Sequence, residues 1–441
     1  MKILHYALGL PPYRTGGLTK FCMDLMLTQK ERGHDVALIW PGQIGFFDKK
    51  LKIRKKKSWN GIYSFEIVNP LPIALDEGII DVSAYTKVVD PEPYVAFLNK
   101  FSPDVIHIHT LMGLHREFLD VVKELGIRTL FTSHDYYGIC PKVTLFHDGK
   151  ICDDDHDCRD CVACNRSALS LKKIALMQSP LYRILKNTVI VKKIRQQHRQ
   201  EFFEQETFEI CDATCESITT AQDYKKLRGY YVAMLQQIDK IHFNSTVAEK
   251  VYCRYFEPKL SQVVSITHRD IRDHRRIKDF DHENLRLTYL GPAKSFKGFQ
   301  ILLQTLDKLW ERGIQSFELH IYTATAQQRP YITHRQNGYS YSQLGVIFEN
   351  TDLFVAPSLW YETFGFTVLE ALSYGVPVLV SENVGAKDLL ADSQFGWVLP
   401  NDCDEIVKLL ASIVSDKSGL IKRNKNILDS KLLEFPMEIY E

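Results

Sequence analysis

In the stretch YETFGFTVLE, residues 361–370, Glu362 and Glu370 stand eight positions apart around Gly365 in an otherwise apolar segment. Carboxylates accept hydrogen bonds from hydroxyl groups, and the amides that open a helix hold anions. With a helix beginning at Gly365, Glu362 precedes its N-terminus and Glu370 lies along it. The amides of Gly365 and Phe366 are then placed for phosphate oxygens. Either glutamate alone suits a helix cap or a surface position. A second stretch, GPAKSFKG, puts Lys297 directly before Gly298 at another helix start, with Lys294 nearby, so two ammonium groups can neutralise a diphosphate. In PPYRTGG, Gly16 and Gly17 follow the first strand, where missing side chains let backbone amides approach an anion. The lysine loop lacks the Walker A spacing, and the glycine loop is not a dinucleotide fingerprint. Hydroxyls at one end and phosphates near the middle describe a nucleotide sugar. HIHT and TSHDYYG end two further strands with His109, His134 and Asp135, either serving the reacting groups or satisfying the strand ends.

These residues need an α/β scaffold. KILHYAL reads as a buried strand, GGLTKFCMDLMLTQKERG as a helix closed by Gly33, and HDVALIWP as a second strand. PDVIHIHT, LHREFLDVVKELG and IRTLFTSHD repeat the unit with near-continuous apolar strands, as a parallel sheet covered on both faces requires. LRLTYLGP, FKGFQILLQTLDKLWERG, FELHIYT, TDLFVAPS, GFTVLEALSYG and VPVLVSE do so again in the second half. The charged run at 268–284 cannot build a core and marks the boundary. The expectation is two doubly wound Rossmann-like domains facing across a cleft lined by strand ends. An acceptor-binding domain spans 1–270, with an insertion at about 138–205. A nucleotide-sugar domain spans 285–425, and 426–441 forms a C-terminal segment.

The chain has 441 residues, 55 basic against 54 acidic, so bulk charge indicates no partner. Its opening apolar run is too short for a signal peptide or membrane span, which points to the cytosol. Half of the ten cysteines fall between 140 and 164, which argues against a disulfide scaffold for the whole fold. Cys152, Cys158, Cys161 and Cys164, with Cys140 as an alternate, suit a structural zinc site. Local disulfides and unliganded thiols fit the same spacing. From 166 to 199 nine Lys or Arg occur without an acidic residue, and KKLKIRKKK at 49–57 adds seven more. Mixed with apolar residues, they suit an anionic membrane surface on the cytoplasmic side, or a solvated insertion. No nucleic-acid module accompanies them.

GPAKSFKG, the glycine loop with KERGHDVALI, and PSLWYETFGFTVLEALSYGVPVLVSE together resemble glycosyltransferase family four, retaining enzymes of the GT-B fold. The resemblance covers most of the chain and implies that the segment 426–441 crosses back to the first domain. It implies sugar transfer from a nucleoside diphosphate sugar, with UDP as the expected nucleotide, to a saccharide or lipid-linked saccharide, as in surface polysaccharide synthesis. No catalytic cofactor is expected. By this resemblance Glu362 contacts donor sugar hydroxyls, Glu370 holds the ribose and Lys297 balances the diphosphate. Phe364, Gly365 and Phe366 complete the donor loop, and His109 or His134 contacts the transferred sugar. The expected catalytic set is therefore His109, His134, Lys297 and Glu362. One departure stands out: the family's arginine after the loop glycine is here Pro292, which carries neither charge nor N–H. That position also raises a catalytically reduced partner subunit as an alternative, beside an epimerase of the same fold. A hydrolase using Glu362 and Glu370 fits poorly, because both lie in one domain beside phosphate sites.

Overall fold

The computed structural model describes residues 1–45, 47–152, 157–185, 188, 219–390, 392 and 394–433. They fall into two compact units. One comprises 1–145, 153–242 and 252–262, and the other 146–152, 243–251 and 263–441. The charged run at 268–284 thus belongs to the second unit. Arg275 Nη1 donates to the carbonyls of Ile427 and Ser430, and Phe280 is buried in that unit's core.

The strands of the first half are β1 (Lys2–Tyr6), β2 (Asp35–Pro41), β3 (Lys52–Trp59), β4 (Ile62–Val68), β5 (Val105–Ile108) and β6 (Arg128–Thr132). They continue with a small hairpin, β7 (Phe146–His147) and β8 (Lys150–Ile151), then β9 (Lys240–Phe243) and β10 (Ser261–Val263). Eight of them form one sheet in the order β10-β9-β6-β5-β1-β2-β4-β3. Its centre is parallel, with His5 of β1 opposite His107 of β5. The covering helices include α1 (Gly17–Glu31), α2 (Glu92–Phe101), α3 (Arg116–Glu124) and α4 (Arg159–Cys164). After α1, Gly33 takes φ 85°, and His34 N–H reaches back to the Gln29 carbonyl, the glycine stop expected from the sequence.

The basic run at 49–57 has a structural role that the sequence reading did not assign. Lys52–Trp59 is the antiparallel edge strand β3, paired with β4, and most of its basic side chains are exposed. A lysine-rich edge repels pairing with another chain's strand. Lys56 also neutralises the fully buried Glu66 at 2.9 Å. Of the basic stretch 166–199, residues 166–185 and 188 are described, and they include the short helices Leu171–Met177 and Pro180–Leu185; 186–187 and 189–199 lie outside the described residues, as does the chain end at 434–441.

In the second unit, β11 (Leu285–Tyr289), β12 (Phe317–Ile321), β13 (Ile332–His334), β14 (Leu353–Ala356), β15 (Val378–Ser381) and β16 (Gly396–Leu399) form a wholly parallel sheet in the order β13-β12-β11-β14-β15-β16. Its helices include α5 (Phe299–Glu311), α6 (Phe366–Ser373) and α7 (Cys403–Ser415). Leu285, Leu287, Leu302, Leu306, Leu319 and Leu410 are fully buried between α5, α7 and the strands. Each such side chain contributes on the order of 1.5–3 kcal/mol of burial free energy, which holds the strand ends, and hence the loops beyond them, in fixed register. Both sheets are the doubly wound type expected.

Candidate functional site

In the second unit the loops after β11 and β14 meet. Lys297 ends a single 3-10 turn, Ser295–Lys297, and Gly298 follows at φ 75°. A Cβ on Gly298 would sit 1.7 Å from the Pro357 carbonyl oxygen, so only glycine lets the two loops touch. The β14 loop is then pinned from several sides. Leu359 N–H and Trp360 N–H donate to the Phe296 carbonyl, Ser381 Oγ and Asn401 Nδ2 to that of Ser358, and Asn383 Nδ2 to that of Leu359.

This scaffold presents Glu362. Its Oε1 accepts from Lys297 Nζ at 2.7 Å and its Oε2 from Ser358 Oγ at 2.6 Å, with both charged side chains about one-fifth exposed. Lys297 also lies over the Trp360 ring at 4.9 Å. Glu362 therefore does not cap α6: its carboxylate is spent on a cation, and Gly365, at φ 103°, starts the helix without a side-chain cap. Lys294 lies over the Phe296 ring at 5.1 Å. The Pro292 carbonyl accepts from the Tyr289 hydroxyl and Lys294 N–H, so the proline sits in a braced turn. Phe364 is buried and packs edge-on to Phe366.

Glu370 is almost completely buried on α6. Its Oε1 lies 3.2 Å from His268 Nε2, while Oε2 and His268 Nδ1 have no hydrogen-bond partner among the described residues. His268 is held edge-on between Tyr341 and Phe366. Burial, reinforced by the Glu370 charge, raises the Tyr339 hydroxyl well above its usual value. A buried carboxylate oxygen without a donor is costly, and a ligand hydroxyl would satisfy it. The sequence reading missed His268; lying in the charged run, it carried no periodic or motif signal.

In the first unit, Gly16 (φ 112°) precedes α1, no side chain caps the helix, and Gly17 is its first residue. His109 follows β5, His134 follows β6, and the two rings meet with Nδ1 and Nε2 3.3 Å apart. His109 Nε2 lies 3.0 Å from His5 Nδ1, and His5 Nε2 lies 2.7 Å from Gln29 Oε1. Burial drives His5 down to about 4 and His134 to about 3, and holds His109 well below its usual value. All three rings are neutral at pH 7. Asp135, raised to about 6 by burial, accepts from Tyr137 N–H.

The expected zinc ligands Cys152, Cys158, Cys161 and Cys164, and the alternate Cys140, all lie among the described residues. The eight cysteines among the described residues are free of disulfides, and Cys140, Cys158 and Cys161 are buried. A thiol hydrogen bond with Cys158, together with burial, pushes the Cys161 thiol up. Cys152 follows β8 and Cys164 ends α4. The metal-ligating side chains that do converge among the described residues are His5, His107 and His109, with ring nitrogens within 4.8 Å of one another. Such a cluster could chelate a metal.

Two family models match separate parts of the chain. The model of glycosyl transferases group 1 matches 270–428, and that of glycosyltransferase family 4 matches 15–150. The chain belongs to this glycosyltransferase family. The glycosyltransferase shares 39% identity over 67 residues with a probable sucrose-phosphate synthase 5 of Oryza sativa subsp. japonica, covering 15% of this chain and 6% of the relative. It shares 25% over 158 residues with an uncharacterized glycosyltransferase of Methanocaldococcus jannaschii, covering 32% and 39%. The matches thus span well under two thirds of these relatives' lengths. Among solved structures, Anabaena HepE in complex with UDP and glucose superposes with a TM-score of 0.54 at 12% identity, covering 99% of this chain and 96% of that one. An E. coli structure titled trehalose-6-phosphate bound with UDP-2-fluoro glucose gives 0.56 at 11%, covering 99% and 96%. Sucrose-phosphate synthase from Thermosynechococcus elongatus gives 0.53 at 13%, covering 97% and 92%. At such identities the likeness establishes the fold alone, and that fold is GT-B. No helix among the described residues is long and apolar enough to cross a membrane.

Proposed function

We propose that this protein is a retaining glycosyltransferase that takes a sugar from a UDP-sugar and passes it to a saccharide or lipid-linked saccharide in glycoconjugate synthesis. The observation that carries the reading is the grouping of Lys297, Glu362 and Glu370 around the start of α6, with one buried Glu370 oxygen lacking a partner. UDP and UDP-glucose in the structural neighbours support the choice of nucleotide. The diphosphate exchanges the Lys297–Glu362 contact for its own: Lys297 turns to phosphate oxygens, helped by Lys294 and the amides opening α6. Glu362, released from the ammonium, accepts from sugar hydroxyls, and Glu370 accepts from the ribose.

In the transfer step the bond between the anomeric carbon and the diphosphate oxygen breaks as the acceptor oxygen bonds to that carbon on the same face. The acceptor's proton passes to the departing phosphate oxygen. Lys297 and the helix amides stabilise the charge that develops on the diphosphate. His134 orients the transferred sugar, with His109 behind it. The basic insertion supports salt-sensitive contact with an anionic lipid surface, where lipid-linked acceptors reside.

Calorimetric titration tests the donor assignment. Wild-type protein binds UDP in preference to GDP and ADP, and Glu370→Ala, which removes the ribose acceptor, weakens UDP binding by about 10- to 100-fold, the range expected for a charged hydrogen bond. Equal UDP affinity in the two proteins would remove Glu370 from the donor site.

A further inference from the structure

We infer that Gln29 and His5 are positioning residues that, through His109, hold the His134 ring in a single tautomer with its proton on Nε2. This rests on the proposed role of His134 toward the sugar. The geometry is a continuous file of hydrogen bonds running from Gln29 on α1 through His5 on β1 and His109 after β5 to His134 after β6. The first three residues are at most 2% exposed, so water does not compete for the links.

The polarity follows from the end of the file. Gln29 Oε1 can only accept, so His5 donates from Nε2 and its Nδ1 must be the bare nitrogen. His109 then donates from Nε2 into His5, its Nδ1 is bare, and His134 donates from Nε2 into His109. The ring of His134 then carries its proton on Nε2 and its lone pair on Nδ1. Turning the Gln29 amide over would reverse every bond and move the His134 proton to Nδ1, so the tautomer reports which end of Gln29 faces His5. Since an amide oxygen is no proton sink, the file fixes orientation and does not carry charge away. The lowered basicity of all three rings fits that role.

The same file weighs against metal ligation at this point. Both ring nitrogens of His5 and both of His109 already have partners, and His107 Nε2 is paired with Thr132 Oγ1 at 2.8 Å. A metal ion held by His5, His107 and His109 would displace hydrogen bonds of the file.

Long-range proton–nitrogen NMR on the full chain with labelled histidine tests the inference, the His134 signals being assigned by their loss in His134→Gln. The wild type shows His134 protonated on Nε2. Gln29→Met, which offers no hydrogen-bond acceptor of comparable strength, gives a mixture of tautomers and lowers turnover of UDP-glucose about 10-fold with the donor KM unchanged, whereas Gln29→Glu keeps the Nε2 form and restores turnover. An Nδ1 proton in the wild type, or a tautomer indifferent to Gln29→Met, would overturn it. So would a stoichiometric metal ion in protein purified without chelator. The tautomer is read on the wild-type protein without any substrate, so this result stands or fails separately from the transferase reading.

Discussion

Lys297→Met lowers turnover by roughly 10²- to 10³-fold, the effect of deleting one charge-stabilising donor from a reacting site. Two consequences follow from the geometry. Lys297 is the ammonium in contact with Glu362, at 2.7 Å, and the loop that carries it is fixed by Gly298 and the Phe296 carbonyl, so no neighbouring cation slides into its place without moving that loop. The variant also leaves Glu362 negative with only Ser358 as a donor, which repels the incoming diphosphate. UDP affinity therefore falls together with turnover. Lys297→Arg retains the charge in a different shape and recovers part of the loss. Steady-state kinetics of the three proteins check this. Turnover within 2-fold of wild type in Lys297→Met would mean that the diphosphate is neutralised elsewhere.

Gly298→Ala has the largest effect on the fold of the site. Left-handed backbone costs a residue with a side chain on the order of 1–2 kcal/mol, and the overlap with the Pro357 carbonyl adds roughly 1–3 kcal/mol. A matched control lies in the same unit: Gly313 has φ 77°, and a Cβ there meets nothing within 4 Å. Gly313→Ala bears only the conformational term. Chemical denaturation followed by tryptophan fluorescence should place Gly298→Ala well below Gly313→Ala in stability, with UDP binding lost in the first and kept in the second. Equal stability of the two variants would refute the close approach of the loops.

The parts of this architecture legible in the sequence are those with a local physical cause. Short near-continuous apolar runs such as VIHI and LFVA, bounded by turn residues, fit doubly covered parallel strands, and the φ that Gly33, Gly298 and Gly365 adopt is one other residues avoid, so strands and helix starts could be read directly. Lys297, Glu362 and Glu370 were found because each lies beside such a mark. What escaped depended on partners distant in sequence. The ion pair between Lys297 and Glu362 joins residues 65 positions apart, and nothing in either motif requires it. His268 draws its meaning from Glu370, 102 positions away. His5 and Gln29 read as ordinary strand and helix residues until β1 and β5 lie side by side. The edge role of the basic run at 49–57 escaped for a related reason: charge density is visible in sequence, but that the run forms a sheet edge depends on the partner strand β4.

The most direct test of the central claim is the configuration of the first sugar released. Incubated with UDP-glucose, with water as the acceptor, the protein should liberate UDP and α-glucose, observed by proton NMR before mutarotation proceeds, because attack from the face of the departing diphosphate preserves the donor's α configuration. β-Glucose as the first product would contradict same-face transfer and require a base on the opposite side of the sugar.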